Sequence, residues 1–315
     1  ELPEYGDSGM SVMEMSHRSP AYQAIIDDAE ATLRRVMGIP SNYRVLFLQG
    51  GATLQFAGIP MNLMRRGRCG HVVTGNFAKK AWQEAARYGD ARVLASSEDT
   101  HFDRIPALDA VERACVDDDL DYVYICQNNT IFGTQFHTLP NCGDTPLVAD
   151  VSSCFLSLPI DVERYGLIYA GAQKNAGAAG VTVVIVRDDL IGQSPANPYC
   201  PTYMDYRIQA DKGSMYNTPP TYGIYVLGLV LEWVEQMGGV KAMQERAEKR
   251  SAMLYDYLDS QDFYKAVAEK ASRSHMNVTF RTGDDELDAK FAKESMAAGM
   301  SNLKGHRSVG GMRAS

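Results

Sequence analysis

The stretch LIYAGAQKNAGAAGVTVVIV, residues 167–186, holds two apolar, β-rich runs around a small-residue turn that carries one lysine. The runs are Leu167–Ala170 and Val181–Val186. About ten residues join them, which is too few for a crossover helix, so the two strands cannot be parallel neighbours. We therefore expect them to lie side by side and antiparallel, with the lysine just past the end of the first strand.

Further apolar runs occur upstream, and helical patterns separate them. Most of these runs are apolar throughout rather than alternating, which is typical of strands covered on both faces. Strand–helix alternation over most of the chain predicts an α/β fold with a doubly wound, mainly parallel sheet of seven strands, one of them antiparallel. The upstream strand candidates are Val45–Leu48, Val72–Thr74, Arg92–Ala95, Tyr122–Cys126 and Leu147–Val151.

The pattern changes after Gly238-Gly239, where two amphipathic helices surround one strand and predict a smaller α+β domain. We therefore expect a large domain, residues 1–240, and a small C-terminal domain, residues 241–315, that is incomplete at its C-terminus. The small-domain elements are predicted at Val240–Leu258, Asn277–Arg281 and Glu286–Ala298, and the large-domain helices from Ser19-Pro20 to Gly38 and near Phe77–Tyr88, Ala107–Val116 and Tyr222–Met237.

Composition excludes several classes of function. The formal net charge of −8 comes without basic blocks, so we expect neither nucleic acid nor a membrane surface as a partner. Six cysteines without a C-x-x-C pair indicate reduced thiols in a cytoplasmic protein.

No two histidines have the four-residue spacing of a metal-binding helix, and no metal is expected. No two glycines are separated by a single residue, which excludes the G-x-G-x-x-G loop of nucleotide-dependent dehydrogenases.

Two charged residues lie at the C-terminal ends of two predicted strands that are consecutive in the chain. This is the edge at which open α/β sheets bind ligands. Lys174 follows a buried strand among small residues, where it can be desolvated and form a Schiff base with an aldehyde. Asp150 ends the preceding strand, where a pyridinium nitrogen needs a counter-ion. Each residue also has an ordinary interpretation, Lys174 as a surface lysine and Asp150 as a helix N-cap.

Three further loops at predicted strand ends fit the same ligand. Gln49–Thr53 opens a helix, whose free N–H groups can hold a phosphate, although it could equally be a glycine turn. Phe77 stands at a helix start, where it could stack on a flat ring or belong to the core. Thr130 offers a hydroxyl for a ring oxygen, or merely another helix cap.

Cationic side chains cluster in two places in this acidic chain. His306, Arg307 and Arg313 occupy a glycine-rich loop, and His17-Arg18 precede the first helix. Arginine guanidinium groups bind phosphate and carboxylate through paired hydrogen bonds, so both clusters are candidate anion sites. The alternative is a solvated surface whose ion pairs contribute about 0–1 kcal/mol each.

Five segments carry a family resemblance: SVMEMSHR (11–18), ADVSS (149–153), YAGAQKN (169–175), GSMYNTPP (213–220) and KGHRSVGGMRAS (304–315). Together they resemble the phosphoserine aminotransferases, class V aminotransferases of fold-type I that depend on pyridoxal 5′-phosphate (PLP). The resemblance covers essentially the whole chain. Members usually begin some tens of residues earlier and continue past the last serine, so we expect both ends of the family's chain to be missing here.

The resemblance implies a role for each candidate residue around PLP. Lys174 would hold the cofactor as a Schiff base, and Asp150 would pair with the ring nitrogen. Phe77 would stack on the ring, and Thr130 would reach the ring oxygen. The cofactor phosphate would be bound by Ala52, Thr53 and Gln173, and by Asn217 and Thr218 of a neighbouring subunit, which implies a homodimer.

The resemblance also implies the reaction. The amino group of L-glutamate would pass to 3-phosphohydroxypyruvate in a ping-pong cycle, giving 2-oxoglutarate and O-phospho-L-serine for serine biosynthesis. A related phosphorylated oxo acid of pyridoxine biosynthesis lies within the family's range. His17, Arg18, His306 and Arg307 would bind the substrate phosphate, and Arg313 its carboxylate.

Three other functions compete with this interpretation. A class V cysteine desulfurase needs a nucleophilic cysteine on a late loop, and none follows Cys200, so we exclude it. An alanine–glyoxylate-type aminotransferase shares the lysine but has no need of four cationic groups around a phosphate. A non-catalytic binding paralogue would not need the Lys174–Asp150 pair.

Overall fold

The structure, a computed structural model, describes residues 2–192 and 194–315. Strands and helices alternate through the first two thirds of the chain, as the sequence predicts. The strands are β1 (Tyr43–Leu48), β2 (Arg68–Val73), β3 (Asp90–Ser96), β4 (Val123–Cys126), β5 (Asn128–Asn129), β6 (Thr134–Gln135), β7 (Leu147–Asp150), β8 (Leu167–Gly171), β9 (Thr182–Arg187), β10 (Lys265–Ala266), β11 (Val278–Arg281) and β12 (Met312–Ala314). The α-helices are α1 (Pro20–Met37), α2 (Gly51–Leu63), α3 (Asn76–Ala85), α4 (Asp109–Asp117), α5 (Asp188–Ile191), α6 (Tyr206–Asp211), α7 (Thr221–Gln236), α8 (Gly239–Asp259) and α9 (Asp285–Ala297).

The central sheet of the described chain has seven strands in the order β1-β9-β8-β7-β4-β2-β3. Strand β9 is antiparallel to both of its neighbours, β1 and β8, and the other pairs are parallel. This confirms the α/β fold with one antiparallel strand. The short connection from β8 to β9 forces the chain to turn straight back, so β9 enters the sheet beside β8 and separates it from β1.

Helices and loops cover both faces of this sheet. All residues of β4, β7 and β8 are buried, as the apolar runs predict. Neighbouring residues of one strand belong to different cores, because side chains alternate between the faces: Ile168 packs in one cluster and Tyr169 in the other. Helix α1 has the predicted ends, with Ser19 as the N-cap and Gly38 in the left-handed conformation at φ 65°.

A second sheet, of order β10-β11-β12, lies in the C-terminal part of the chain. It has its own small apolar core, which includes Tyr255, Phe280 and Met312. Hydrogen bonds join this part to the short two-stranded sheet β5-β6, with Asn128 Nδ2 of β5 donating to Asn277 Oδ1 at 2.7 Å. The separate core favours a small domain, and its predicted boundary between residues 240 and 241 stays a prediction. Among the described residues, no helix is both long and apolar enough to cross a membrane.

Candidate active site

The two charged residues predicted at strand ends lie at the same edge of the central sheet. Asp150 is the last residue of β7, and it pairs with Tyr169 of the parallel strand β8. Lys174 follows the end of β8 by three residues. Between them, the Ser152 hydroxyl accepts a hydrogen bond from the Gly171 N–H at 3.0 Å, which ties the two strand ends together.

Asp150 is a buried carboxylate, with a side chain only 6% exposed. Its Oδ1 accepts a hydrogen bond from the Ser152 N–H at 2.9 Å, and within the described residues it has no ion-pair partner. No helix begins between Asp150 and the 3₁₀ turn Val162–Arg164, so the helix-cap alternative is wrong. Because a buried charge without a counter-ion is costly, this carboxylate is suited to a cation that the chain itself does not supply.

Lys174 lies in a cleft of about 570 Å³ and is exposed. Its Nζ donates to Thr130 Oγ1 at 2.8 Å and lies 5.2 Å from the centre of the Phe77 ring. The sequence predicts a desolvated amine, whereas Lys174 is exposed in this chain. The structure does bring Lys174, Thr130 and Phe77 together.

The predicted phosphate loop forms the start of helix α2. Gly50 and Gly51 have φ angles of 88° and 67°, a conformation that favours glycine, and the helix has no side-chain cap. The N–H groups of its first turn, where Ala52 and Thr53 lie, are therefore free to bind an anion. Gln173, the other predicted phosphate ligand, is exposed beside Lys174.

Arg313, on strand β12, reaches back to the lysine cleft. Its Nη1 donates to the Thr130 carbonyl at 3.2 Å, while its Nε is buried without a partner. Burial lowers the pKa of the guanidinium below its ordinary value, and no carboxylate of the described chain pairs with it. Arg313 lines the cleft that contains Lys174 and also an adjoining cavity of about 440 Å³ that contains His306.

The loop from Lys304 to Gly311 is folded on itself. The Gly305 N–H donates to the Gly311 carbonyl at 2.8 Å, and the Gly310 N–H donates to the His306 carbonyl at 2.9 Å. A side chain at Gly305 would collide with the Gly310 carbonyl, so only glycine fits there. This turn holds His306 against the cavity and leaves Arg307 exposed.

The remaining predicted residues form a different surface. His17, Arg18, Asn217 and Thr218 line one exposed cleft of about 580 Å³, together with Lys212. This cleft contains neither Lys174 nor Arg313. The structure therefore separates Lys174 and Arg313 from the group around Arg18, although Gln49, beside the start of α2, donates from its side-chain amide to the Thr218 carbonyl at 2.9 Å.

Sequence reasoning missed several residues that support the site. Ser152 contacts Asp150 and Gly171, and the Asp-x-Ser spacing after a strand is the signal that could have found it. The Tyr124 and Tyr169 hydroxyls lie 2.7 Å apart on the strands that flank β7. Asn76, beside Phe77, contacts the Ser308 hydroxyl, and no sequence spacing indicates this contact between positions so far apart.

Comparison with known proteins is consistent across the chain. Residues 2–315 match the family model described as aminotransferase class-V. The phosphoserine aminotransferase of Listeria innocua serovar 6a is 51% identical over 317 residues, which cover 100% of this chain and 85% of that protein. The structure of the phosphoserine aminotransferase from Bacillus circulans subsp. alkalophilus matches with a TM-score of 0.95 at 45% identity, over 100% of this chain and 86% of that one. The PLP-bound phosphoserine aminotransferase from Trichomonas vaginalis matches with a TM-score of 0.93 at 36% identity, over 100% and 88% of the two chains.

Proposed function

The chain belongs to the phosphoserine aminotransferases of the class V family, and we propose that it transfers the amino group of L-glutamate to 3-phosphohydroxypyruvate. The products are 2-oxoglutarate and O-phospho-L-serine, and the cofactor is PLP. Within serine biosynthesis this reaction supplies the phosphorylated amino acid. A related phosphorylated oxo acid of pyridoxine biosynthesis is a candidate second substrate.

One contact carries the proposal. Thr130 accepts hydrogen bonds from both Lys174 Nζ, at its hydroxyl, and Arg313 Nη1, at its carbonyl. An amine and a guanidinium that has no carboxylate partner among the described residues thus contact the same residue. This is the arrangement that an α-amino acid needs, because its carboxylate must be held while the proton on its Cα is removed.

Three features of the chain fit PLP. The unpaired, buried Asp150 suits the protonated ring nitrogen, and the uncapped first turn of α2, at Ala52 and Thr53, suits the phosphate. The ring of Phe77 lies near Lys174 Nζ and offers a face for stacking. Thr130 and Gln173 are placed beside the lysine, where they would contact the ring oxygen and the phosphate.

Each of these side chains would then have its own role in transamination. PLP, when bound, supplies an electron-withdrawing ring and an aldehyde carbon that accepts the amino group. Asp150 would hold a proton on the ring nitrogen, and Arg313 would bind the substrate carboxylate. Lys174 Nζ would take the proton from the substrate Cα and deliver it to the aldehyde carbon of the cofactor, oriented by its hydrogen bond to Thr130.

A homodimer accounts for the second group of residues. Asn217 and Thr218 are exposed and share their cleft with His17 and Arg18, apart from Lys174. We assign Asn217 and Thr218 to the cofactor phosphate of the neighbouring subunit. We assign the cationic pair at 17–18 to the substrate phosphate, as we do His306 and Arg307. In a two-fold dimer, both subunits use the same surface as the interface. A cleft in that surface therefore faces the partner subunit.

Mixed dimers test this assignment. In a dimer of a Lys174→Ala chain and an Asn217→Ala/Thr218→Ala chain, one site keeps its lysine and receives intact Asn217 and Thr218 from the other chain. We expect about half of the wild-type activity at limiting PLP, because one of two equivalent sites is complete. Each variant alone should be far less active. A mixed dimer no more active than the two homodimers would contradict the assignment between subunits.

Two arginine variants test how the substrate is bound. Charge-assisted hydrogen bonds contribute about 1.5–3 kcal/mol each, so losing one arginine should lower kcat/KM at least about tenfold. Arg313→Ala should impair the half-reactions of phosphoserine and of glutamate alike, because both carry an α-carboxylate. Arg307→Ala should raise the KM for phosphoserine more than that for glutamate. Small, equal losses in both variants would favour the solvated basic loop instead.

The proposed function itself is tested by the choice of amino acceptor. The purified protein with PLP and L-glutamate should use 3-phosphohydroxypyruvate far better than glyoxylate or pyruvate. Preference for glyoxylate would favour the alanine–glyoxylate alternative, and no turnover with any acceptor would favour a non-catalytic paralogue. We also place the reaction in the cytoplasm, which the six unpaired cysteines support.

A further inference from the structure

His306 is connected to helix α3 by a short chain of hydrogen bonds. The Ser308 hydroxyl lies 2.7 Å from His306 Nδ1, and the Ser308 N–H donates to the same nitrogen at 3.2 Å. Asn76 Nδ2 donates to the Ser308 hydroxyl at 3.4 Å. The chain therefore runs from the helix that carries Phe77 to the loop that carries His306.

Only one direction of donation satisfies all three contacts. A backbone N–H can only donate, so Nδ1 of His306 must offer its lone pair and carries no proton. The Ser308 hydroxyl must then also donate to Nδ1, which leaves its oxygen free to accept from Asn76. The ring nitrogen that keeps a proton is Nε2, and within the described residues Nε2 has no partner.

The surroundings of His306 also disfavour a second proton. Burial lowers the pKa of His306, as do the positive charges of Arg313 on β12, Arg307 in the same loop and Lys80 on α3. Charged or titratable groups that line the same cavity are Glu98, which pairs with Lys79; Arg281, which pairs with Asp285 and Asp288; and His101. All three of these carboxylates are thus already paired with other cations.

We propose that Ser308 is a positioning residue, which holds His306 as the neutral, Nε2-protonated ring that donates to the distal anionic group of the substrate. The proposal rests on the proposed function and extends it. Phosphohydroxypyruvate carries a phosphate at that end, whereas glutamate carries a carboxylate. A neutral donor serves both anions, and the neighbouring guanidinium groups supply the charge.

The state of the ring can be read directly by NMR of the PLP-loaded enzyme with ¹⁵N-labelled histidine. His306→Asn identifies the His306 signals by their loss. We expect a neutral ring with its proton on Nε2 at neutral pH. Ser308→Ala removes one of two hydrogen bonds that only the unprotonated Nδ1 can accept, so the pKa of His306 should rise. Ser308→Thr keeps the hydroxyl and should restore the wild-type value.

Kinetics provide the second measurement. Ser308→Ala should raise the KM for phosphoserine about three- to tenfold with little change in kcat, the effect of one misplaced neutral hydrogen bond. The ratio of its KM to the wild-type KM should also fall as the pH is lowered, because His306 of the variant then gains a positive charge; taking the ratio cancels the ionisation of the substrate phosphate, whose second pKa is about 6. Asn76→Ala should change the KM for phosphoserine and its pH dependence in the same direction as Ser308→Ala, but to a smaller extent.

Two results would overturn the proposal. One is a wild-type ring with its proton on Nδ1. The other is a Ser308→Ala enzyme whose KM rises while the pKa of His306 stays unchanged and Ser308→Thr fails to rescue it, since this indicates only a disturbed loop. Failure of the proposed function would appear as absent turnover of phosphoserine by the wild type. The NMR spectrum of His306 does not depend on turnover, so the two failures are distinguishable.

Discussion

Replacement of Lys174 by alanine is expected to lower turnover by at least about four orders of magnitude, because it removes the group proposed to move the substrate proton. The fold should survive, since Lys174 is exposed and its amine, among the described residues, donates only to Thr130. PLP should still bind through the contacts of Asp150 and the first turn of α2. Half-reactions with phosphoserine and with glutamate, followed by absorbance, measure the loss.

The control is Lys241→Ala, which removes an exposed lysine from helix α8 and should leave turnover near the wild-type value. Borohydride should attach the cofactor to the wild-type peptide that contains Lys174, and to no peptide of Lys174→Ala. A small primary amine in the buffer should restore part of the activity of this variant, because it can carry the proton instead. Substantial turnover by Lys174→Ala without added amine would refute the assignment.

The position of β9 was predictable because it depends only on chain length. The connection from β8 is too short for a crossover, so antiparallel pairing follows from the sequence alone. The order of the other strands does not follow in this way. Consecutive strands usually lie side by side, which favours β7 between β4 and β8, but nothing in the sequence indicates that β4 pairs with β2 and not with β3.

Strand β2 shows why element boundaries are harder to predict. The apolar pattern indicates a start at Val72, whereas the strand starts at Arg68 and includes His71. His71 is buried and stacks on Tyr124 with ring centres 5.1 Å apart, and burial lowers its pKa to about 3. The ring therefore stays neutral and packs like an aromatic core residue, although its residue type favours a polar position.

The strand-end positions of Lys174 and Asp150 were predictable, whereas the way in which the candidate site residues are grouped in space was not. Lys174 and Asp150 follow from their places at strand ends, which the sheet confirms. The sequence does not show that Arg18 and Arg313 lie in different clefts, because both belong to basic segments that are suited to bind anions. Their separation depends on the tertiary structure. Only the fold shows that Arg18 and Arg313 line different clefts, which is the observation from which we proposed the homodimer.

Replacement of Asp150 by asparagine is expected to lower turnover by about two to four orders of magnitude with PLP still bound. Asparagine keeps the shape of the side chain, and its Oδ1 can still accept the hydrogen bond from the Ser152 N–H. It cannot supply the negative charge that holds a proton on the ring nitrogen, so the ring would withdraw electrons less strongly. Half-reaction rates at saturating substrate measure this effect separately from binding.

Thermal unfolding of the same variant, with and without PLP, separates this role from a structural one. Without the cofactor, Asp150 is a buried charge with no ion-pair partner in the described chain, and replacing it with a neutral amide should leave stability unchanged or higher. With the cofactor, the wild type should be the more stable, because only the carboxylate forms an ion pair with the ring. PLP should therefore make the wild type more stable than the variant, although without PLP the wild type is no more stable. We expect this change only if Asp150 is the counter-ion of the ring. A variant that is less stable in both forms, with turnover near the wild-type value, would show that the carboxylate serves the fold alone.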